Sequence, residues 1–80
     1  MQILVSDYNG VTITLNVEIF DLIADVKSKI EEKEGIPFDQ QRLIYNSITL
    51  DDTATLAAFG IKNKAKLILE SISGLMRTYV

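Results

Sequence analysis

Residues 33–44 read Lys33-Glu34-Gly35-Ile36-Pro37-Phe38-Asp39-Gln40-Gln41-Arg42-Leu43-Ile44. Gly35 stands where a helix C-terminus calls for a residue in the left-handed region, since only glycine takes that conformation without a Cβ penalty. Pro37 follows two positions later; it has no N–H to donate and its ring blocks a continuing helix. Gln41-Arg42-Leu43-Ile44 then begins an alternating pattern of strand type. The segment is therefore a helix end, a hard stop and the entry to a strand.

Working outward, residues 23–34 repeat apolar side chains at helical spacing. Ile23, Val26 and Ile30 share one face, with Lys29, Glu32 and Lys33 opposite. Asp21 is placed to cap this helix, and Asp25 puts negative charge in its first turn. Upstream, residues 1–6 and 11–17 alternate, and Asp7-Tyr8-Asn9-Gly10 between them suits a hairpin turn. Val11, Ile13, Leu15 and Val17 face one way, and Thr12, Thr14 and Asn16 the other. Downstream, residues 40–45 form a strand, Asn46-Ser47 links it to a short one at 48–50, and Thr55 to Phe59 suits a single helical or 3₁₀ turn with Leu56 and Ile61 inward. Residues 65–72 alternate again, Leu67 and Leu69 against Lys66, Ile68 and Glu70. One amphipathic helix laid on one amphipathic sheet closes a single core, an α+β arrangement.

The helix-stop-strand segment, together with Met1-Gln2-Ile3 and Thr12-Ile13-Thr14-Leu15, resembles ubiquitin, without a gap from Met1 to about Leu69. The resemblance implies the β-grasp fold, a mixed sheet of about five strands on one main helix, with the first and last strands parallel at its centre. It also implies an ion pair between Lys27 and Asp52. The family commonly has a capping threonine where this chain has Leu22, which cannot cap, so the helix start is expected to be frayed or shifted by a residue.

Composition narrows the function. Eighty residues make one domain. A net charge of −3 with no basic stripe argues against nucleic-acid binding. No apolar run approaches a membrane span, and Met1 leads directly into a strand-like pattern, so no signal peptide is expected. Cysteine and histidine are both absent. That removes thiol nucleophiles and a Ser/His/Asp set. The four glycines are scattered, which leaves no phosphate-binding loop. Asp51 and Asp52 are too few ligands for calcium, and the helix carboxylates lie among lysines as a solvated face. Neither enzyme chemistry, a metal nor a cofactor is expected. By resemblance alone, the compartment is cytoplasmic or nuclear.

Function should lie on a surface. If Leu43 and Tyr45 pack inward, Arg42 and Ile44 face solvent, and the same logic turns Ile68 outward. The resemblance makes these strands neighbours, with Tyr8 on the hairpin tip. Tyr8, Ile44, Ile48 and Ile68 would then form an apolar patch on the sheet face away from the helix, the kind of feature that marks an interface. The matching surface of ubiquitin is what most of its receptors grip. Ile44 and Arg42 carry over; Tyr8, Ser47, Ile48, Ile68 and Glu70 stand where the family has leucine, glycine, lysine, histidine and valine. Glu70 is expected to pair with Arg42 across neighbouring strands. The implied partners are proteins of the ubiquitin pathway, bound by a monomer. Phe20 is expected to cover the helix start, and Phe38 is a second aromatic on the far side.

The end of the chain departs from the family. Ubiquitin-type modifiers finish in a basic, flexible stretch with two glycines, which an enzyme adenylates. Here the stretch is Ser71-Ile72-Ser73-Gly74-Leu75-Met76. The expected organisation is a domain over residues 1–72 and a tail over 73–80, a linker or a processed extension. Two functions follow. One is non-covalent protein binding through the patch. The alternative is a covalent modifier released by processing near Gly74. Lys27, Lys29 and Lys33 match family lysines as candidate acceptors, while Ser6, Val11, Ile48 and Asn63 leave the others blank, so ordinary polyubiquitin is not expected. A weaker third possibility is that Thr78-Tyr79-Val80 serves as a PDZ-type C-terminal ligand.

Overall fold

The computed structural model describes residues 1–7 and 9–72. Strands β1 (Gln2–Ser6), β2 (Thr12–Asn16), β3 (Gln41–Tyr45), β4 (Ile48–Thr49) and β5 (Ala65–Ser71) make one sheet, ordered β2-β1-β5-β3-β4. Neighbours are antiparallel except β1 and β5, which run parallel in its middle. Helix α1 (Ile23–Glu34) crosses one face. This is the ubiquitin-like β-grasp arrangement expected above.

The core is built as the two periodicities require. Helix α1 contributes Ile23, Val26 and Ile30, and alternate strand positions contribute Ile3, Val5, Ile13, Leu15, Leu43, Leu67 and Leu69, all buried. Leu50, Leu56 and Ile61 close the end of the core. Each such side chain contributes about 1.5–3 kcal/mol by leaving water, and together they offset the ordering of a short chain. Val11 shares the apolar face of its strand pattern but stays exposed beyond the start of β2.

Helix α1 ends as read from the sequence. Gly35 has φ 76° and ψ 9°, and its N–H donates to the Glu31 carbonyl at 2.8 Å. Pro37, at φ −56°, then opens a 3₁₀ turn over Phe38–Gln40 that sequence periodicity did not reveal, and β3 begins one residue later than expected. The shorter ends of β4 and β5 are similar: Leu50 N–H still bonds Leu43, and Ile72 N–H bonds Gln40, but neither residue continues its ladder.

The helix start corrects one expectation. Leu22, not Asp21, occupies the cap position, in the extended conformation that a cap requires. Asp21 instead accepts a hydrogen bond from the Glu18 amide at 2.9 Å. Leucine offers no acceptor, so the first turn is satisfied from elsewhere. Ile23 N–H donates to the Ala54 carbonyl and Ala24 N–H to that of Asp52. Asp25 accepts the Leu22 amide. The loop before the second 3₁₀ turn (Ala57–Phe59) thus takes over the role of a capping side chain.

Among the described residues two polar side chains are enclosed. Lys27 is buried, with its ammonium 2.6 Å from Asp52 Oδ1, the ion pair that the resemblance implied. That oxygen has no hydrogen-bond partner, so the attachment is chiefly one of charge. The Lys27 ammonium also lies 5.7 Å from the centre of the Phe38 ring. Gln41, a strand residue by its pattern, is buried, and its Nε2 donates to the carbonyls of Lys27 and Ile36 at 2.9 and 3.0 Å. Its Oε1 has no donor.

Candidate functional site

The face of the sheet away from α1 is set by strand alternation. With Ile3, Val5, Leu43, Leu67 and Leu69 turned to the core, Leu4, Ser6, Arg42, Ile44, Lys66, Ile68 and Glu70 turn to the opposite side. Register then decides which of them meet. Ile44 lies directly opposite Ile68, and Arg42 directly opposite Glu70. Arg42 Nη1 is 3.3 Å from Glu70 Oε1. Ile68 remains 50% exposed and Ile44 is half-buried against it. The centre of this face is therefore an aliphatic pair with a charged pair one step along the same two strands.

The surroundings bound the apolar area. Across β1, Ser6 pairs with Ile68 and its hydroxyl lies 3.0 Å from that of Thr12, a polar margin. Leu4 pairs with Lys66 one step back and is half-buried. Alternation carries the signal for Leu4, which is absent from the expected patch: if Ile3 and Val5 point inward, Leu4 points outward. Thr49 faces Ile44 on the β4 side.

Ile48 is a correction. It pairs with Tyr45, and directly opposed residues share a face. Tyr45 packs against the core, so Ile48 belongs to that side at the open edge of the sheet, 54% exposed, and flanks the Ile44–Ile68 pair rather than joining it. The tight connection explains the position. Asn46 and Ser47 both take positive φ, 52° and 66°, which is the two-residue turn that keeps Tyr45 and Ile48 in register. Asparagine tolerates this conformation, whereas Ser47 holds it at some cost.

The remaining predicted positions fall as follows. Tyr8, Gly74 and the whole stretch 73–80 lie outside the described residues. Lys29 and Lys33 are exposed on α1, with Lys33 Nζ donating to the Thr14 carbonyl at 3.3 Å. Lys27, named beside them as a candidate acceptor, has its amine enclosed against Asp52. Phe20 does not cover the helix start; it is 74% exposed. Among the described residues no three potential metal ligands converge.

The described geometry of this face is an aliphatic centre with a charged rim. Residues 3–70 match the model of the ubiquitin family. The chain is 34% identical over 80 residues to the AN1-type zinc finger protein 4 of Mus musculus, covering 98% of this chain but only 11% of that protein. It is 39% identical over 56 residues to the NEDD8-like protein RUB1 of Saccharomyces cerevisiae, covering 70% of this chain and 73% of the relative. Against the ubiquitin-like protein NEDD8 of Dictyostelium discoideum it is 35% identical over 69 residues, covering 86% and 90% respectively. With the β-grasp topology and this match across nearly all the described residues, the chain belongs to the ubiquitin family.

Proposed function

We propose that the chain is a ubiquitin-like interaction domain that binds protein partners non-covalently through the outer face of its sheet. The direct pairing of Ile44 with Ile68 on that face carries the proposal. Apolar side chains at the centre of a contact supply most of the affinity, and charges at the margin supply orientation. In this assignment Ile44 and Ile68 are the anchors. Arg42 and Glu70 form the rim, with Ser47 and Ile48 at the β4 edge and Tyr8 as the remaining candidate. The Arg42–Glu70 pair adds only about 0.2–1 kcal/mol to stability, so Arg42 can turn to a partner at little cost to the fold. The partner class is a receptor domain of the ubiquitin pathway. Titrating such a domain into the isotope-labelled chain should move the amide signals of Ile44 and Ile68 first. Movement confined to other surfaces rejects the assignment.

A second reading has its own support. The two NEDD8-like relatives are matched over most of their length, unlike the zinc finger protein. A covalent modifier would need processing after Gly74, and Lys29 and Lys33 would be its accessible acceptors ahead of the enclosed Lys27. Mass spectrometry of the natural product separates the two. A species ending at Gly74, or joined to another protein, favours the modifier; an intact linear chain favours the binding domain.

A further inference from the structure

We infer that the corner formed by Glu18–Leu22 is a second docking surface, and that its occupant is an amphipathic protein segment bearing lysine or arginine beside an apolar face. The segment is a β-turn, closed by Asp21 N–H to the Glu18 carbonyl at 3.0 Å and by Glu18 N–H to the Asp21 carboxylate. Its two central residues are Ile19 and Phe20. Turn centres ordinarily carry proline, glycine or small polar residues, for reasons of backbone geometry and solvation. The next residue but one, Leu22, fills a helix cap, where a side-chain oxygen would stabilise the first turn. Local structure thus asks for polar residues at three neighbouring positions and finds large apolar ones. None of the three belongs to the core: Ile19 is 45% exposed, Phe20 74% and Leu22 38%.

The surface is held rigid from behind. Ala57 N–H donates to the Ile19 carbonyl, Leu56 N–H to that of Asp21, and Ile23 N–H to that of Ala54, while Leu22 and Thr55 form a β-bridge. A surface fixed in this way loses little conformational freedom on binding.

Charge selects the occupant. Residues 18–26 carry Glu18, Asp21 and Asp25 and no lysine or arginine. Residues 51–61, which brace them, carry Asp51 and Asp52 and again no cation. Only Asp52 is neutralised, by Lys27 from the next turn of α1. An exposed aromatic with carboxylates around it is complementary to a basic amphipathic segment, and it repels anionic lipid and acidic partners. This surface is separate from the Ile44–Ile68 face, so the inference does not depend on the function proposed there.

The test uses the full 80-residue chain, isotope-labelled, and a synthetic helical peptide with leucine on one face and lysine on the other. A matched peptide with glutamate in place of lysine is the control. The lysine peptide should shift the amides of Ile19, Phe20, Leu22 and Ala57, and the glutamate peptide should not. Phe20→Ser should weaken binding at least about tenfold, and Glu18→Lys about threefold or more, each with the rest of the spectrum unchanged; Ile44→Ala should leave the affinity as it was. The inference is overturned if the lysine peptide moves only the sheet face, or if these amides stay still at millimolar peptide. It is equally overturned if folded Phe20→Ser binds as well as the parent. Shifts of the same amides on concentrating the chain alone would make a second copy the occupant, and binding to vesicles of anionic lipid would make it a membrane; either result also overturns it.

Discussion

Gln41 shows how a single polar side chain can tie a sheet to its helix. Its amide nitrogen bridges the Lys27 and Ile36 carbonyls, fixing α1 and the segment that follows it against the start of β3. Replacing it by leucine keeps the bulk but removes the donor to both carbonyls, leaving that of Ile36 without this partner. Gln41→Leu should therefore lower unfolding stability by about 1–3 kcal/mol, measured by urea titration. Strand alternation correctly turns Gln41 inward with Leu43, but periodicity cannot say which carbonyls lie beneath, and so its role was not legible. Asp51 is a second residue whose behaviour only coordinates reveal. The backbone N–H of Thr53, and then its hydroxyl, donate to the same carboxylate oxygen, each at 2.8 Å, and hold the Asp51 carboxyl below the ordinary aspartate range. A carboxyl depressed in the folded state stabilises the fold above its unfolded value of about pH 3.9, and that contribution is lost as pH falls through the folded value. Thr53→Val removes the hydroxyl bond and keeps the backbone one. The Asp51 titration followed by carboxyl carbon NMR should then move part of the way back up; an unmoved curve contradicts the assignment.

At the scale of elements, α1 separates what sequence can and cannot tell. Its span, buried face and glycine stop were all legible, because spacing and backbone chemistry decide them. Its start was not. Asp21 has the right chemistry for a cap and the wrong position, because the loop carbonyls of Asp52 and Ala54 already serve the first amides. Half of a reciprocal cap exists, with Asp25 accepting the Leu22 amide. Leu22→Thr supplies the other half at φ −75° and ψ 155°, and should raise stability by about 1 kcal/mol in denaturant titration. The same substitution should weaken binding of the basic peptide, the trade expected of a residue kept for contact rather than for folding. The β3–β4 connection repeats the lesson. Alternation along each strand places Ile44 and Ile68 correctly, but which face Ile48 joins depends on the turn register, which the two residues Asn46-Ser47 set.

For the whole molecule, the parallel pairing of β1 with β5 at the centre of the sheet means that both ends of the domain must be present before the core closes. The described core is complete by Leu69. A chain ending at Ile72 should accordingly unfold within about 0.5 kcal/mol of the 80-residue chain, a boundary that calorimetry of the two would check. Among the described residues the fold leaves two apolar surfaces in different electrostatic settings: the sheet face has Lys66 and the Arg42–Glu70 pair nearby, and the Glu18–Leu22 corner has carboxylates. With no histidine anywhere in the chain, binding on the sheet face should change little between about pH 5.5 and 8 unless the partner titrates. The location of that face followed from alternation and family resemblance, whereas its composition, with Leu4 added and Ile48 moved to the edge, required register. The most direct measurement is the affinity of Ile44→Ala for a ubiquitin-receptor domain, taken beside its urea unfolding curve. Binding weakened by more than about 1 kcal/mol with folding intact is the predicted result. An unchanged affinity in a folded variant would contradict the sheet-face interface.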